Sequence, residues 1–89
     1  MEKAVTVADA VPVVWEGDLD DDCIARWHSL TLRAEEMDRS IWWWAVYDAE
    51  GGEAVMDSHT SSTVARSGKQ ARAAAEAAAR EWRMRKATR

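Results

Sequence analysis

Three tryptophans in succession, Trp42-Trp43-Trp44, lie inside the run Ser40-Ile-Trp-Trp-Trp-Ala-Val-Tyr47, and they constrain the fold more than any other feature of the chain. Aromatic and β-branched residues fill that run, so it reads as a strand. Successive side chains of a strand point to opposite faces. Ile41, Trp43, Ala45 and Tyr47 therefore share one face, and Trp42, Trp44 and Val46 share the other. Both faces carry bulky apolar groups, and each needs cover from the chain itself or from a partner.

One helix is available to supply that cover. The segment from Gln70 to Lys86 contains no Gly or Pro, and Ala71, Ala74, Ala75, Ala78 and Trp82 recur at steps of three and four residues. That spacing makes one apolar stripe. Ser67-Gly-Lys-Gln70 has the form of a capping box, and the pairs Glu76/Arg80 and Glu81/Arg85 are spaced to support an exposed flank. Methyl groups let a helix lie close to a sheet that presents rings. The longer apolar row, Ile41, Trp43, Ala45 and Tyr47, is expected beneath the helix, which leaves Trp42 and Trp44 pointing away from it.

The rest of the chain supplies strands. Lys3–Val7 and Val11–Trp15 read as edge segments, because Pro12 removes a donor. Glu16–Asp22, with five carboxylates and a Gly, reads as a solvated loop. Cys23–Arg33 reads as a strand covered in part on both faces, and the polar stretch from Arg33 to Arg39 as a connection. Ser40–Tyr47 should pair with Glu53–His59 as a hairpin about the Gly51-Gly52 turn. The expectation is an α+β domain: an antiparallel sheet of three to five strands with one long C-terminal helix, residues 67–87, packed on one face. The 89 residues suit a single domain, 1–89.

Charge divides the chain unevenly. Residues 1–60 hold four Lys/Arg against fourteen Asp/Glu, whereas residues 61–89 hold eight against two. An acidic sheet part is thus followed by a basic helix. No apolar run is long enough to span a bilayer, no secretory leader is visible and Cys23 has no second cysteine to pair with. These features imply a reduced, cytoplasmic protein away from membranes.

Residue types used in catalysis and metal binding occur in the chain, but without the spacing either chemistry needs. Asp18, Asp20 and Asp22 alternate as the first ligands of a calcium loop do, but Cys23 and Ser29 stand where such a loop needs Gly and Glu. His28, His59 and Cys23 lack metal-ligand spacing, and no nucleophile motif surrounds any Ser. No enzyme activity, metal or cofactor is expected. Two binding surfaces are. The first is a protein-binding surface of Trp42, Trp44, Asp18, Asp20, Asp21, Asp22, Glu35 and Glu36, because aromatic patches and steering charge mark interfaces. The second is a nucleic-acid surface on the helix, made of Arg72, Arg80, Arg83, Arg85 and Lys86.

The stretch Trp44-Ala-Val-Tyr-Asp-Ala-Glu-Gly-Gly-Glu-Ala-Val, leading through Ser/Thr-rich residues into the helix from Ala71, covers about half the chain. It resembles the layout of short phage, prophage and plasmid accessory proteins. In size, acidity and lack of catalytic motifs the chain is similar to small inhibitors of bacterial defence, anti-CRISPR proteins among them, and its hairpin and helix are similar to those of antitoxins. The resemblance implies a non-enzymatic protein-binding inhibitor that occupies a site on a larger host complex, or forms a homodimer. Its alternative is an antitoxin-type or nucleic-acid-binding regulator using the basic helix.

Overall fold

The computed structural model describes residues 11–48, 52–59 and 64–87. Five strands precede one helix: β1 (Trp15–Asp18), β2 (Asp22–Trp27), β3 (Leu30–Asp38), β4 (Ile41–Asp48), β5 (Ala54–Asp57) and α1 (Gly68–Ala87). The strands form one antiparallel sheet in the order β1-β2-β3-β4-β5, so each strand pairs with its neighbours in sequence. The helix packs on one face of this sheet, as the α+β reading expects. The β4–β5 hairpin is present, with Ala45 opposite Asp57 and a register shift at Val46/Tyr47.

Several boundaries differ from the sequence reading. The segment Cys23–Arg33 is not one strand, because the chain reverses at His28-Ser29 and Trp27 pairs with Leu30. His28 takes a φ of 58°, a left-handed conformation that His tolerates better than β-branched residues do. Arg33–Asp38 continues β3 instead of forming a connection, and Ser40, at φ 59°, makes the next reversal. The acidic segment is a hairpin, not a free loop: Glu16–Asp18 belong to β1, Asp22 opens β2, and the turn is confined to residues 19–21. Residues 11–14 lie outside any strand, and the expected strand Lys3–Val7 falls outside the described residues.

The two faces of β4 are reversed with respect to the expectation. Trp42 and Trp44 are 7% and 2% exposed and lie in the core under α1, while Ile41 is 51% exposed. The cause is register. Trp44 lies opposite Ala34, and Ala34 opposite Cys23; Val46 lies opposite Leu32, and Leu32 opposite Ala25. Directly opposed residues share a face. The apolar rows of β2 and β3 therefore bring Trp42, Trp44 and Val46 to the helix side, while Thr31, Arg33 and Glu35 accompany Trp43 and Tyr47 on the other.

Small residues set the layer spacing. Ala71, Ala75, Ala78 and Ala79 are buried against a sheet that presents Trp27, Trp44, Leu30 and Leu32. Ala74 and Trp82 flank them, half-buried. The Ser67 hydroxyl accepts from the Gln70 amide at 3.1 Å, the first half of the capping box. The Gln70 side chain accepts from the amide of Arg66 instead of Ser67, at 2.9 Å. Trp42 donates its amide to Ala65 at 2.9 Å, which aligns the approach to the helix with β4.

Cys23 is 1% exposed, and its Sγ lies 3.6 Å from the carbonyl of Ala34. Burial raises the pKa of its thiol, with Asp22 and Asp18 adding to the effect and Arg72 opposing it. A raised pKa means that the folded state keeps its proton after the unfolded chain has lost it, so stability falls as pH rises past the unfolded thiol value of about 8.5. Urea melts from pH 7 to 10 should show this loss, and Cys23→Ala should remove it. Equal alkaline slopes for both chains would assign the loss to other groups.

Candidate functional site

The sheet face away from α1 is where the sequence pattern and the packing part company. Cross-strand pairing arranges it in three rows. The first runs Asp18, Asp22, Glu35, Trp43; the second Glu16, Ile24, Arg33, Ala45, Asp57; the third Arg26, Thr31, Tyr47. Five carboxylates and two arginines thus surround two aromatic rings and an isoleucine. Trp43 and Tyr47 are half-buried, and Ile24 is 39% exposed. Among the described residues no helix or strand lies over this face, since α1 packs on the opposite side.

Arg33 organises the centre of the face. Its Nη2 donates to both oxygens of Asp22 at 3.2 Å and lies 3.9 Å from Oε1 of Glu35. The hydrogen bond to Asp22 raises the pKa of the guanidinium above its ordinary value, helped by the charges of Asp22 and Glu35. Asp22 is the nearer partner of Arg33, whereas Glu35 is held loosely and stands directly opposite Trp43. Carboxylate and indole side chains in such a pair lie within reach of one another.

The acidic residues expected to bind a partner are gathered at one end of the sheet. Asp18, Asp20, Asp21 and Asp22 make the β1–β2 reversal, and Glu35 and Glu36 lie beside it on β3. All but the half-buried Glu35 are exposed. Backbone bonds fix the cluster: Asp21 donates its amide to the Asp18 carbonyl at 3.1 Å, Glu36 donates to the Asp21 carbonyl at 2.7 Å, and Asp20 donates to Oδ1 of Asp18 at 2.9 Å. Arg72 of α1 donates to the carbonyl of Leu19 at 2.7 Å, so the turn is clasped to the first turns of the helix. Gly68 permits this approach, because a Cβ there would lie 2.7 Å from the same carbonyl.

Trp42 and Trp44, expected as the aromatic part of the binding surface, are instead core residues that no partner reaches in the folded state. Trp43 and Tyr47 take their place on the open face. Ile24 and Arg33 complete it, and none of these four is among the binding residues expected from sequence. The signal was present in the alternation of β3, where Leu30, Leu32 and Ala34 oppose Thr31, Arg33 and Glu35.

The basic residues of the helix are engaged within the fold. Arg80 and Arg83 lie over the buried Trp27 ring at 5.1 and 5.7 Å, Arg80 also meets Glu76 at 3.5 Å, and Arg85 pairs with Glu81. Lys86 meets Asp48 at 3.2 Å and lies over Trp82 at 6.0 Å. Arg72 holds the acidic turn. An exposed i,i+4 pair contributes only about 0.3–0.5 kcal/mol and yields to a stronger partner. Arginines stacked on a buried ring also shield the core, and phosphate binding would remove that cover.

Among the described residues no group of three His, Cys, Asp or Glu side chains is arranged to hold a metal ion. No helix among them is long and apolar enough to cross a membrane. No family model, no curated protein and no solved structure matches the chain.

Proposed function

We propose that the protein is a non-enzymatic binding module whose acidic hairpin end and open sheet face occupy a basic site on a larger protein complex, as a mobile-element inhibitor of a host defence complex would. The observation that carries this reading is the fixed cluster of Asp18, Asp20, Asp21, Asp22, Glu35 and Glu36 beside the uncovered row that ends in Trp43. Charge so arranged speeds encounter with a basic partner, and apolar rings beside it supply affinity once contact is made. The engagement of Arg72, Arg80, Arg83, Arg85 and Lys86 within the fold weighs against the nucleic-acid alternative.

The test compares the wild-type chain with one carrying Asp20→Asn, Asp21→Asn and Asp22→Asn, using complexes captured from host extract and then binding kinetics on the captured partner. The triple variant should associate about tenfold more slowly at low salt, with the difference shrinking as salt rises, while its melting temperature moves little. If Arg80→Ala, Arg83→Ala and Arg85→Ala together abolish binding to a DNA or RNA duplex and the Asp changes leave all binding unchanged, the regulator reading replaces this one.

A further inference from the structure

We infer that the corner formed by Trp43 and Glu35 is an arginine-accepting site, so that the basic partner presents a protruding arginine to the open face. The inference rests on the reading of the acidic face as a protein-binding surface and names the group that surface selects. Three observations support it. Trp43 is half-buried on a face that no described element covers, which leaves part of its indole for a planar cation to contact. Glu35 stands directly opposite Trp43 across the β3–β4 pair. Its link to Arg33 is the long one, at 3.9 Å, while Asp22 takes the 3.2 Å contacts, so Glu35 retains capacity for a second cation. Carboxylate beside aromatic face is the chemistry that distinguishes arginine from lysine, because the guanidinium hydrogen-bonds through its edge while stacking through its plane. Arg33 does not block the site, since its contacts to Asp22 draw it toward β2, away from Trp43 on β4.

The occupant is thus an arginine-bearing protein segment, chosen over an acidic or purely apolar one by charge complementarity. The experiment titrates full-length protein with octa-arginine and, separately, octa-lysine, following the backbone amides and the six tryptophan indole N–H signals by NMR. Octa-arginine should move the Trp43 indole and the Glu35 amide and bind at least fivefold more tightly than octa-lysine. Glu35→Gln should remove most of that preference. Trp43→Phe, which keeps a ring and guards against a folding defect, should weaken arginine binding less than Trp43→Ala does, the latter by about tenfold. Equal affinity for the two peptides overturns the inference. So does a titration in which the amides of Asp18 to Asp22 shift and the Trp43 indole stays fixed, though that outcome leaves the acidic surface as a binding site. Binding of neither peptide while the natural partner is still captured through Asp20 to Asp22 also removes the arginine site and spares the broader reading.

Discussion

Trp44→Ala should cost about 3–5 kcal/mol, the range for removing a buried large ring. At 89 residues the whole domain is expected to hold about 5–10 kcal/mol. The variant will therefore be largely unfolded at moderate temperature or melt about 12–40 °C lower, at about 4–8 °C per kcal/mol for a domain of this size. Trp43→Ala, removing a half-buried ring from the open face, should cost about 1–2 kcal/mol. Chemical melts of the two variants decide the orientation of β4, because the parity read from sequence demands the opposite ranking. Conservative changes refine the comparison. The indole nitrogen of Trp44 is buried without a hydrogen-bond partner, so Trp44→Phe forfeits only volume. Trp27→Phe loses in addition the 2.8 Å bond to the Val11 carbonyl and should be the more damaging of the two. Equal melts for Trp43→Ala and Trp44→Ala would mean that both faces of the sheet are buried alike.

Gly17→Ala is expected to lower stability by about 2–4 kcal/mol, since strained backbone alone costs about 1–3 kcal/mol. Gly17 sits at φ +98°, and an added Cβ would lie 2.9 Å from the carbonyl of Asp22 and 3.4 Å from the Cα of Cys23. Both obstacles are backbone, so β1 itself must move away from β2. Gly52 provides the control: its φ is +76°, and nothing lies within 4 Å of the added atom. Gly52→Ala should cost only the conformational part, about 1 kcal/mol. The gap between the two melts measures the crowding at β1. Because the Asp18 to Asp22 reversal hangs on that strand, Gly17→Ala should also loosen the acidic cluster, visible as faster amide exchange at Asp21. If both alanine variants melt within a degree of each other, β1 does not pass as close to β2 as described.

How far the fold was legible in the sequence follows from which signals are local. The helix was readable because its alanine spacing, its serine cap and its ion pairs all lie within one segment. The β4–β5 hairpin was readable because aromatic residues and a glycine turn adjoin. The β2–β3 reversal was not, since His28-Ser29 carries no Gly, Asn or Pro and the two strands it joins look like one. That single missed turn propagated. With β3 unrecognised, the parity of Leu30, Leu32 and Ala34 could not be used to orient β4, and the longer apolar row, Ile41, Trp43, Ala45 and Tyr47, pointed the wrong way. The acidic residues of the candidate site were readable by charge alone; the rings that accompany them depended on register, which is a property of neighbouring strands and not of the segment itself.

The clasp between Arg72 and Leu19 fixes more than a turn. It seats the carboxylates of the β1–β2 hairpin beside the first turns of α1, while Arg80, Arg83, Arg85 and Lys86 lie in its C-terminal half, about 12–21 Å from Arg72 along the helix axis. The helix dipole runs the same way, positive toward the carboxylates and negative toward the arginines, so each end is stabilised where it stands. Charge so separated gives the particle an electric moment in addition to its net charge of −4. In the field of a cationic surface it experiences a torque as well as a pull, and it turns its acidic end forward before any side chain touches.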